Sequence, residues 1–126
     1  MKRYAFIAVL FAFCVPFHSV AQTHTGSDLL SQCEVIAEGN TDSSVVTEGL
    51  KCAYYLRAMT DTFGLWQAFN DKEKRNNPPP VCVPETVTMR ELAKVVVKYI
   101  NDHPTSMHEE YGTAAFLALW FYYPCK

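Results

Sequence analysis

The sequence lacks the motifs by which most enzyme active sites are recognised. It contains no glycine-rich phosphate loop, no G-x-S-x-G nucleophile elbow and no H-E-x-x-H zinc motif. Its aspartates and glutamates fall mostly at predicted helix starts and on polar faces, so no pair of carboxylates is placed for acid–base chemistry. We therefore expect a protein that binds a partner rather than an enzyme.

Metal ligands are also scarce. The chain has four histidines and no C-x-x-C pair, so the usual spacings of a zinc site are missing. His103, His108 and Glu109 are close in the sequence, but they fall in a predicted turn whose exposure disfavours metal binding. We expect neither a metal nor a cofactor. A small secreted enzyme is a further alternative, which an activity lost on changing His103 or Glu109 would support.

Clustered positive charge is absent as well. The chain carries 11 lysines and arginines against 13 aspartates and glutamates, for a net charge of −2. Without a basic patch, the sequence gives no reason to expect a nucleic acid or an anionic lipid surface as the partner.

The first 21 residues are predicted to be a cleavable export signal. Two basic residues are followed by an apolar run over 4–17, and the small residues at 19–21 favour cleavage after Ala21. The run is shorter than the roughly 20 residues of a membrane span, so we expect no stable membrane anchor. A lipoprotein signal acylated at Cys14 is the alternative, and the bulky Phe13 before this cysteine disfavours it.

Cleavage would leave residues 22–126 as one exported domain. Nine lysines and arginines would then stand against 13 acidic residues, for a charge of −4. Four of the five cysteines would remain, and an even number in an exported chain indicates disulfides, for which three pairings are available. The remaining cysteines are Cys33, Cys52, Cys82 and Cys125.

Apolar residues recur at helical spacing through most of this domain. Gly39 occupies a position where helices end in left-handed backbone. Capping boxes, in which the first residue and the fourth bond each other's backbone, are predicted at Thr88–Glu91 and Ser106–Glu109. The predicted helices run from Ser27 or Asp28 to Gly39 after a polar lead-in at 22–27, from about Ser44 to Asn70, from Thr88 to His103, and from Ser106 to Tyr123.

Helices 2 and 4 are apolar over an unusually wide surface. Helix 2 is expected to pack against more than one neighbour. Its Gly49 and Gly64 each weaken it by up to about 1 kcal/mol relative to alanine, which close helix approach would explain, with a kink at Gly64 as the alternative. Helix 4 is apolar on every face, and we assign its Trp120, Phe121 and Tyr122 to core and dimer packing.

The cysteine positions predict a pairing. Cys82 precedes helix 3 and Cys125 follows helix 4, and a short turn between these helices makes them antiparallel. Their open ends then meet, which favours Cys82–Cys125 and leaves Cys33–Cys52 across the turn from helix 1 to helix 2. The predicted fold is all-α: a small disulfide-stapled bundle of about four helices with a C-terminal antiparallel helical hairpin.

Two stretches are candidates for partner binding. One is a mixed-charge run that lies before three prolines, where successive prolines end any helix and stiffen the chain. The other is the turn between helices 3 and 4. The candidate residues are Asp71, Lys72, Glu73, Lys74 and Arg75 in the first stretch, and His103 and His108 in the second.

Several of these motifs resemble one protein family. The cysteine of helix 1 is followed by Cys-x-x-Tyr at 52–55, Cys-Val-Pro at 82–84, Val-Val-Val-Lys-Tyr-Ile at 95–100, His-Pro at 103–104 and a terminal Pro-Cys at 124–125. Together they resemble the Rap/Tai family of resistance-associated and type VI amidase immunity proteins. The likeness covers residues 28–125 and is more specific in the C-terminal half.

The resemblance implies a function. A member of this family would be a small all-α periplasmic protein, often a homodimer. It would bind a peptidoglycan amidase delivered by a type VI secretion system and block its active site, which protects the producing cell. Only the cysteine and framing positions carry over, since inhibitory contacts differ between toxin and antidote pairs. The main alternative is a small HdeA-like periplasmic acid-stress chaperone, which the two disulfides disfavour because they resist opening.

Overall fold

The computed structural model describes residues 24–125, and the predicted export signal at 1–21 lies outside them. These residues form four α-helices and one 3₁₀ helix, without any strand. None of the helices in this part of the chain is long and apolar enough to cross a membrane. The helices are α1 (Gly26–Glu38), α2 (Val46–Lys72), α3 (Met89–Asp102), the 3₁₀ helix (Pro104–His108) and α4 (Tyr111–Tyr122).

The start of α3 follows the predicted capping box. The Thr88 backbone N–H donates to Glu91 Oε2 at 2.7 Å, and the Glu91 N–H donates to Thr88 Oγ1 at 3.3 Å. These bonds satisfy backbone donors that a helix end otherwise leaves free. The hydrogen bond from the Thr88 N–H is also the main reason that the pKa of Glu91 is lowered.

Helix α1 begins one or two residues earlier in the chain than the predicted start at Ser27 or Asp28. The helix begins at Gly26, and Thr25 is its N-cap, with its backbone N–H donating to Asp28 Oδ2 at 2.8 Å. The residues just before the helix, His24 and Thr25, make backbone contacts with the start of α4. Thr25 forms an antiparallel bridge with Glu110, and the Tyr111 N–H donates to the His24 carbonyl at 3.0 Å. This backbone pairing joins segments that are far apart in the chain. Local sequence does not reveal it, so the start of α1 was not predicted correctly.

The second predicted capping box does not form. Residues 104–108 make a 3₁₀ helix with Pro104 at its first position, which suits a fixed φ and a missing N–H. The α-helix begins only at Tyr111, with Glu110 as an N-cap that makes no side-chain hydrogen bond. Ser106 is buried, 4% exposed, so it is part of the packed turn rather than the exposed start of a helix.

The core lies where α1, α3 and α4 meet the first half of α2. Ala114, Ala115, Ala118 and Leu119 bury one face of α4, because their spacing brings them to the same side of the helix. The other fully buried large side chains include Leu29 of α1, Leu56 of α2, and Leu92, Val96 and Ile100 of α3.

The core assignment of the α4 aromatics was wrong for two of the three. Trp120 is 51% exposed and Phe121 58% exposed, whereas Tyr122 is partly buried. The helix is apolar all round, but the bundle covers only the face that contains the alanines. Two bulky aromatic residues therefore remain on the surface of this hairpin.

The two glycines of α2 have different environments. A Cβ built on Gly49 would lie 2.9 Å from Val35 Cγ1, so close approach of α1 accounts for this glycine. No atom lies within 4 Å of the equivalent position on Gly64. The close-approach explanation is therefore wrong for Gly64, which lies in the half of α2 that the bundle leaves largely uncovered.

Candidate partner-binding surface

Two disulfides hold the frame on which the surface is built. The structure joins Cys33 to Cys52 with a Cα–Cα distance of 5.2 Å. It joins Cys82 to Cys125 with a Cα–Cα distance of 4.9 Å, which is the pairing expected from the helical hairpins. The first bridge is fully buried in the core, whereas Cys82 is exposed at the open end of the C-terminal hairpin.

The charged candidates at 71–75 lie at the end of α2. Asp71 and Lys72 belong to its last turn, and Glu73 is its C-cap. Arg75 lies against Glu73 in an exposed ion pair, and Lys74 has a positive φ of 51°. The segment is thus a helix end and turn with charges of both signs, and exposed pairs of this kind contribute little to stability.

The chain after this turn folds back onto α2. The Trp66 Nε1–H donates to the Asn77 carbonyl at 3.0 Å, and the Asn77 N–H donates to Asn70 Oδ1 at 3.0 Å. These bonds fix the direction of the proline-rich segment that follows. Trp66 belongs to the wide apolar surface predicted for α2, yet it remains 40% exposed, because its indole bonds the turn rather than packing in the core.

His103 belongs to an aromatic patch on the C-terminal hairpin. Its ring stacks on Tyr99 with centroids 4.3 Å apart and an interplanar angle of 22°. Phe121 lies 5.7 Å from both rings. His103 Nδ1 lies 2.9 Å from the Tyr99 carbonyl oxygen, so the tautomer protonated at Nδ1 donates to it. We call Tyr99, His103 and Phe121, together with Trp120, the residue before Phe121 in the chain, the aromatic patch.

Exposed polar groups border this patch. Lys98 Nζ donates to Asp102 Oδ2 at 2.6 Å, and this hydrogen bond is the main reason that the pKa of Lys98 is raised. His108 is also exposed, at the end of the 3₁₀ helix. His103 packs against Tyr99 and Phe121, and His108 lies five residues further along the chain, at the end of the 3₁₀ helix. Residues 71–75 lie at the end of α2, so the two candidate stretches belong to different elements.

A second apolar surface lies on α2 and was missed by the sequence analysis. Leu50 is 43% exposed, Tyr54 71%, Leu65 61% and Phe69 59%. At about 100° per residue, these four side chains fall on the side opposite the buried residues of the helix. We call them the outer stripe. The wide apolar surface of α2 was a signal of it, but burial against neighbouring helices was the simpler explanation.

A groove lies beside the second half of α2. It has a volume of about 790 Å³ and is open to solvent. The chain 79–87 forms its other wall, together with the first turn of α3. Gly64 lies in this groove, which explains the empty space around it. The groove is lined by Arg57, Thr60, Asp61, Phe63, Leu65, Gln67, Pro79, Val81, Cys82, Val83, Pro84, Glu85, Val87, Met89 and Leu92 besides that glycine.

A pair of tyrosines joins α1, α2 and α4, with Tyr111 partly buried and Tyr55 36% exposed. The Tyr111 hydroxyl donates to Gln32 Oε1 at 2.7 Å, and Tyr55 packs edge-on against Tyr111 with centroids 4.7 Å apart. Burial raises the pKa of Tyr111 to about 12, and the nearby charge of Tyr55 adds to the shift. The pair is a packing element, since the hydroxyl is already committed to the buried amide of Gln32.

The described residues offer little for catalysis or for metal binding. Across 24–125, no three His, Cys, Asp or Glu side chains are grouped so that they could hold a metal ion. The four cysteines in this range are oxidised, so none of them offers a thiolate nucleophile. Some exposed side chains are large and aromatic, Trp120 and Phe121 among them, and aromatic residues are enriched in protein interfaces.

Comparison with known families gives one match. Residues 25–125 match the family described as Rap1a immunity proteins. The match spans all four helices and both disulfides. No curated protein matches the chain, and no solved structure does.

Proposed function

The chain belongs to the family of Rap1a immunity proteins, and from this membership we propose that it protects its cell by binding and inhibiting one toxic effector. The effector proposed is a peptidoglycan amidase delivered by a type VI secretion system. The chain would act in the periplasm after removal of its export signal, and as a homodimer. Inhibition would be stoichiometric, through binding rather than catalysis.

The observation that supports binding is a rigid domain with uncovered aromatic side chains. Trp120 and Phe121 are more than half exposed, although removing such side chains from water is favourable. A disulfide closes the hairpin next to them, at Cys125. Preorganised aromatic side chains lose little conformational entropy on binding, and tryptophan and tyrosine are common hot spots of interfaces.

We assign effector binding to the aromatic patch. It contains His103, one of the residues predicted from the sequence for partner binding. The stacked rings of Tyr99 and His103 hold Phe121 from one side, and Phe121 also packs against Tyr122 with centroids 5.1 Å apart. The rings of Tyr99, His103 and Phe121 are therefore positioned before a partner arrives.

The test is inhibition of the peptidoglycan amidase encoded beside the gene for this chain. The purified mature chain should abolish peptidoglycan cleavage at equimolar amounts. Substituting Phe121→Ser or Trp120→Ser should raise the Kd by at least about 30-fold, since a hot spot contributes about 2 kcal/mol or more. Tyr54→Ser, a matched change on the outer stripe, should leave inhibition unchanged.

Three outcomes would contradict parts of this proposal. An amidase that stays fully active with the wild-type chain would rule it out as the effector. Full inhibition by both patch variants would place the effector elsewhere, with the groove beside α2 as the next surface to test. Recovery of the chain from the cytoplasmic rather than the periplasmic fraction would contradict the proposed location.

A further inference from the structure

The two ring nitrogens of His103 have different roles in the aromatic patch. Nδ1 lies 2.9 Å from the Tyr99 carbonyl oxygen, and the same oxygen accepts from the His103 backbone N–H at 2.9 Å. Because a carbonyl oxygen can only accept, the ring proton has to be on Nδ1. In a neutral imidazole the other nitrogen, Nε2, then has no proton and is a hydrogen-bond acceptor.

This acceptor is open to solvent. Within residues 24–125, the hydrogen bond made by the His103 ring is the one at Nδ1. In the same range, no buried side-chain nitrogen or oxygen lacks a hydrogen-bond partner, so Nε2 has to be accessible. The ring is held by its bond at Nδ1 and by its stack on Tyr99, with centroids 4.3 Å apart. Nε2 is therefore exposed at a fixed position.

A partner that covers the aromatic patch would also remove Nε2 from water. Phe121 is 58% exposed, and its ring centroid lies 5.7 Å from that of His103, so a protein that buries the phenyl ring reaches the imidazole. An acceptor that loses its water without gaining a donor disfavours binding. Tight binding at this patch therefore requires a donor from the partner at Nε2.

Titratable groups lie around the imidazole on three elements. On α3, Tyr99 stacks on it, and Lys98 and Asp102 pair with each other nearby. On α4, Tyr122 packs against the phenyl ring that contacts the imidazole. The 3₁₀ helix carries His108 at its end. Histidine is the side chain that ordinarily changes charge between pH 5 and 8, so a test over this range has to distinguish the two imidazoles.

We propose that His103 Nε2 accepts a hydrogen bond from an N–H or O–H group of the effector, which makes His103 a specificity-determining residue of the aromatic patch. This inference rests on the proposed function and specifies the chemistry of its binding surface. Protonation turns Nε2 from an acceptor into a donor and adds a positive charge. The bond at Nδ1 remains, so the patch keeps its shape while its affinity for the effector falls in acid.

The experiment measures the Kd of the mature chain for the amidase encoded beside its gene, by calorimetry at pH 7.5 and 5.0. The Kd of the wild type should rise by about 10-fold or more at pH 5.0, because fewer molecules are competent to bind. His103→Gln should bind similarly at both values, since its amide oxygen can accept and does not titrate. His103→Phe keeps a stacking ring without an acceptor, so its Kd should already be raised about 10-fold at pH 7.5.

His108→Gln is the matched control, because it removes the other imidazole of this region and should keep the wild-type ratio of the two Kd values. Circular dichroism at both pH values establishes that the variants are folded. Equal pH dependence in the wild type and in His103→Gln would overturn the inference, and so would wild-type affinity of His103→Phe at pH 7.5.

The tautomer gives a readout that does not involve the effector. Nitrogen chemical shifts of the His103 ring in the free chain should place the proton on Nδ1 at pH 7.5, and a proton on Nε2 would overturn the inference. A wild-type chain that binds no amidase at pH 7.5 would overturn the proposed effector and this inference together. Binding that is insensitive to the His103 variants would overturn this inference alone.

Discussion

Tyr111 shows how one hydroxyl can be important without being catalytic. It connects the start of α4 to Gln32 on α1, an amide that is only 8% exposed. A buried polar group that loses its partner costs more than the lost hydrogen bond is worth on average. The raised pKa of Tyr111 follows from the same burial, since the phenolate is disfavoured where water is excluded.

We predict that Tyr111→Phe lowers the free energy of unfolding by about 1–3 kcal/mol at neutral pH, because Gln32 is left without its partner. The folded-state pKa is raised from 10.0 to about 12. The neutral tyrosine therefore contributes stability that is complete below pH 10 and is lost as the pH rises toward 12. Denaturant unfolding at pH 7, 10 and 11.5 measures both effects.

The two proteins should differ least at the highest pH, since the variant has no phenol at this position. A destabilisation that stayed constant from pH 7 to 11.5 would show that titration of Tyr111 is not coupled to folding. Tyr54→Phe provides the control, because that hydroxyl is on an exposed side chain and its removal should change stability little.

At the scale of the elements, the two halves of the continuous helix α2 have different environments. Its first half is joined to α1 by Cys33–Cys52 and by close packing at Gly49. Its second half borders the groove and carries part of the outer stripe, with Leu65 belonging to both. Each half contains a glycine, and apolar residues occur in both, with eight in 46–58 and six in 59–72.

Alanine substitution at the two glycines should therefore have opposite effects. Gly49→Ala should lower the free energy of unfolding by about 1–3 kcal/mol, because the new methyl group would meet Val35 at 2.9 Å. Gly64→Ala should raise it by about 0.5–1 kcal/mol, because alanine favours the helix and nothing lies within 4 Å. Thermal and denaturant unfolding measure both changes, and each variant is the control for the other.

Destabilisation by Gly64→Ala would contradict this description of α2. It would mean that the groove closes over Gly64 in solution, for instance by movement of the chain 79–87 toward the helix. The measurement therefore also tests whether the groove beside α2 is an open surface.

At the scale of the whole molecule, the two disulfides differ in access. Cys33–Cys52 lies in the centre of the core, while Cys82 is exposed and Cys125 partly so. In the chain-entropy account, a loop of 43 residues contributes about 4 kcal/mol and one of 19 residues about 3 kcal/mol. The more accessible bridge is thus also the one that closes the longer loop.

We predict that a mild thiol reductant opens Cys82–Cys125 first, since thiolate attack requires access to the sulfur. Timed alkylation followed by peptide mass spectrometry identifies the order. The half-reduced protein should lose up to about 4 kcal/mol of its free energy of unfolding. Alkylation of Cys33 and Cys52 before the other pair would show that the core opens more readily than the end of the hairpin.

The fold was largely predictable, for reasons that particular residues make clear. Thr88 and Glu91 identify the start of α3 because a capping box is local. The pairing of Cys82 with Cys125 followed from two helices joined by a short turn. The Ser106–Glu109 box fails because Pro104 favours a 3₁₀ turn that buries Ser106, and the start of α1 was late because Thr25 pairs with a residue far along the chain.

The sequence by itself determined the helices, the disulfide partners and the family, since these depend on residues near one another in the chain or on motif spacing. Only the tertiary structure decided which apolar faces stay uncovered. It left Phe121 and the outer stripe exposed and brought His103 against Tyr99 and Phe121. The physical reason is that burial depends on which other elements pack against a side chain. An apolar residue reads the same in the sequence whether or not another helix covers it.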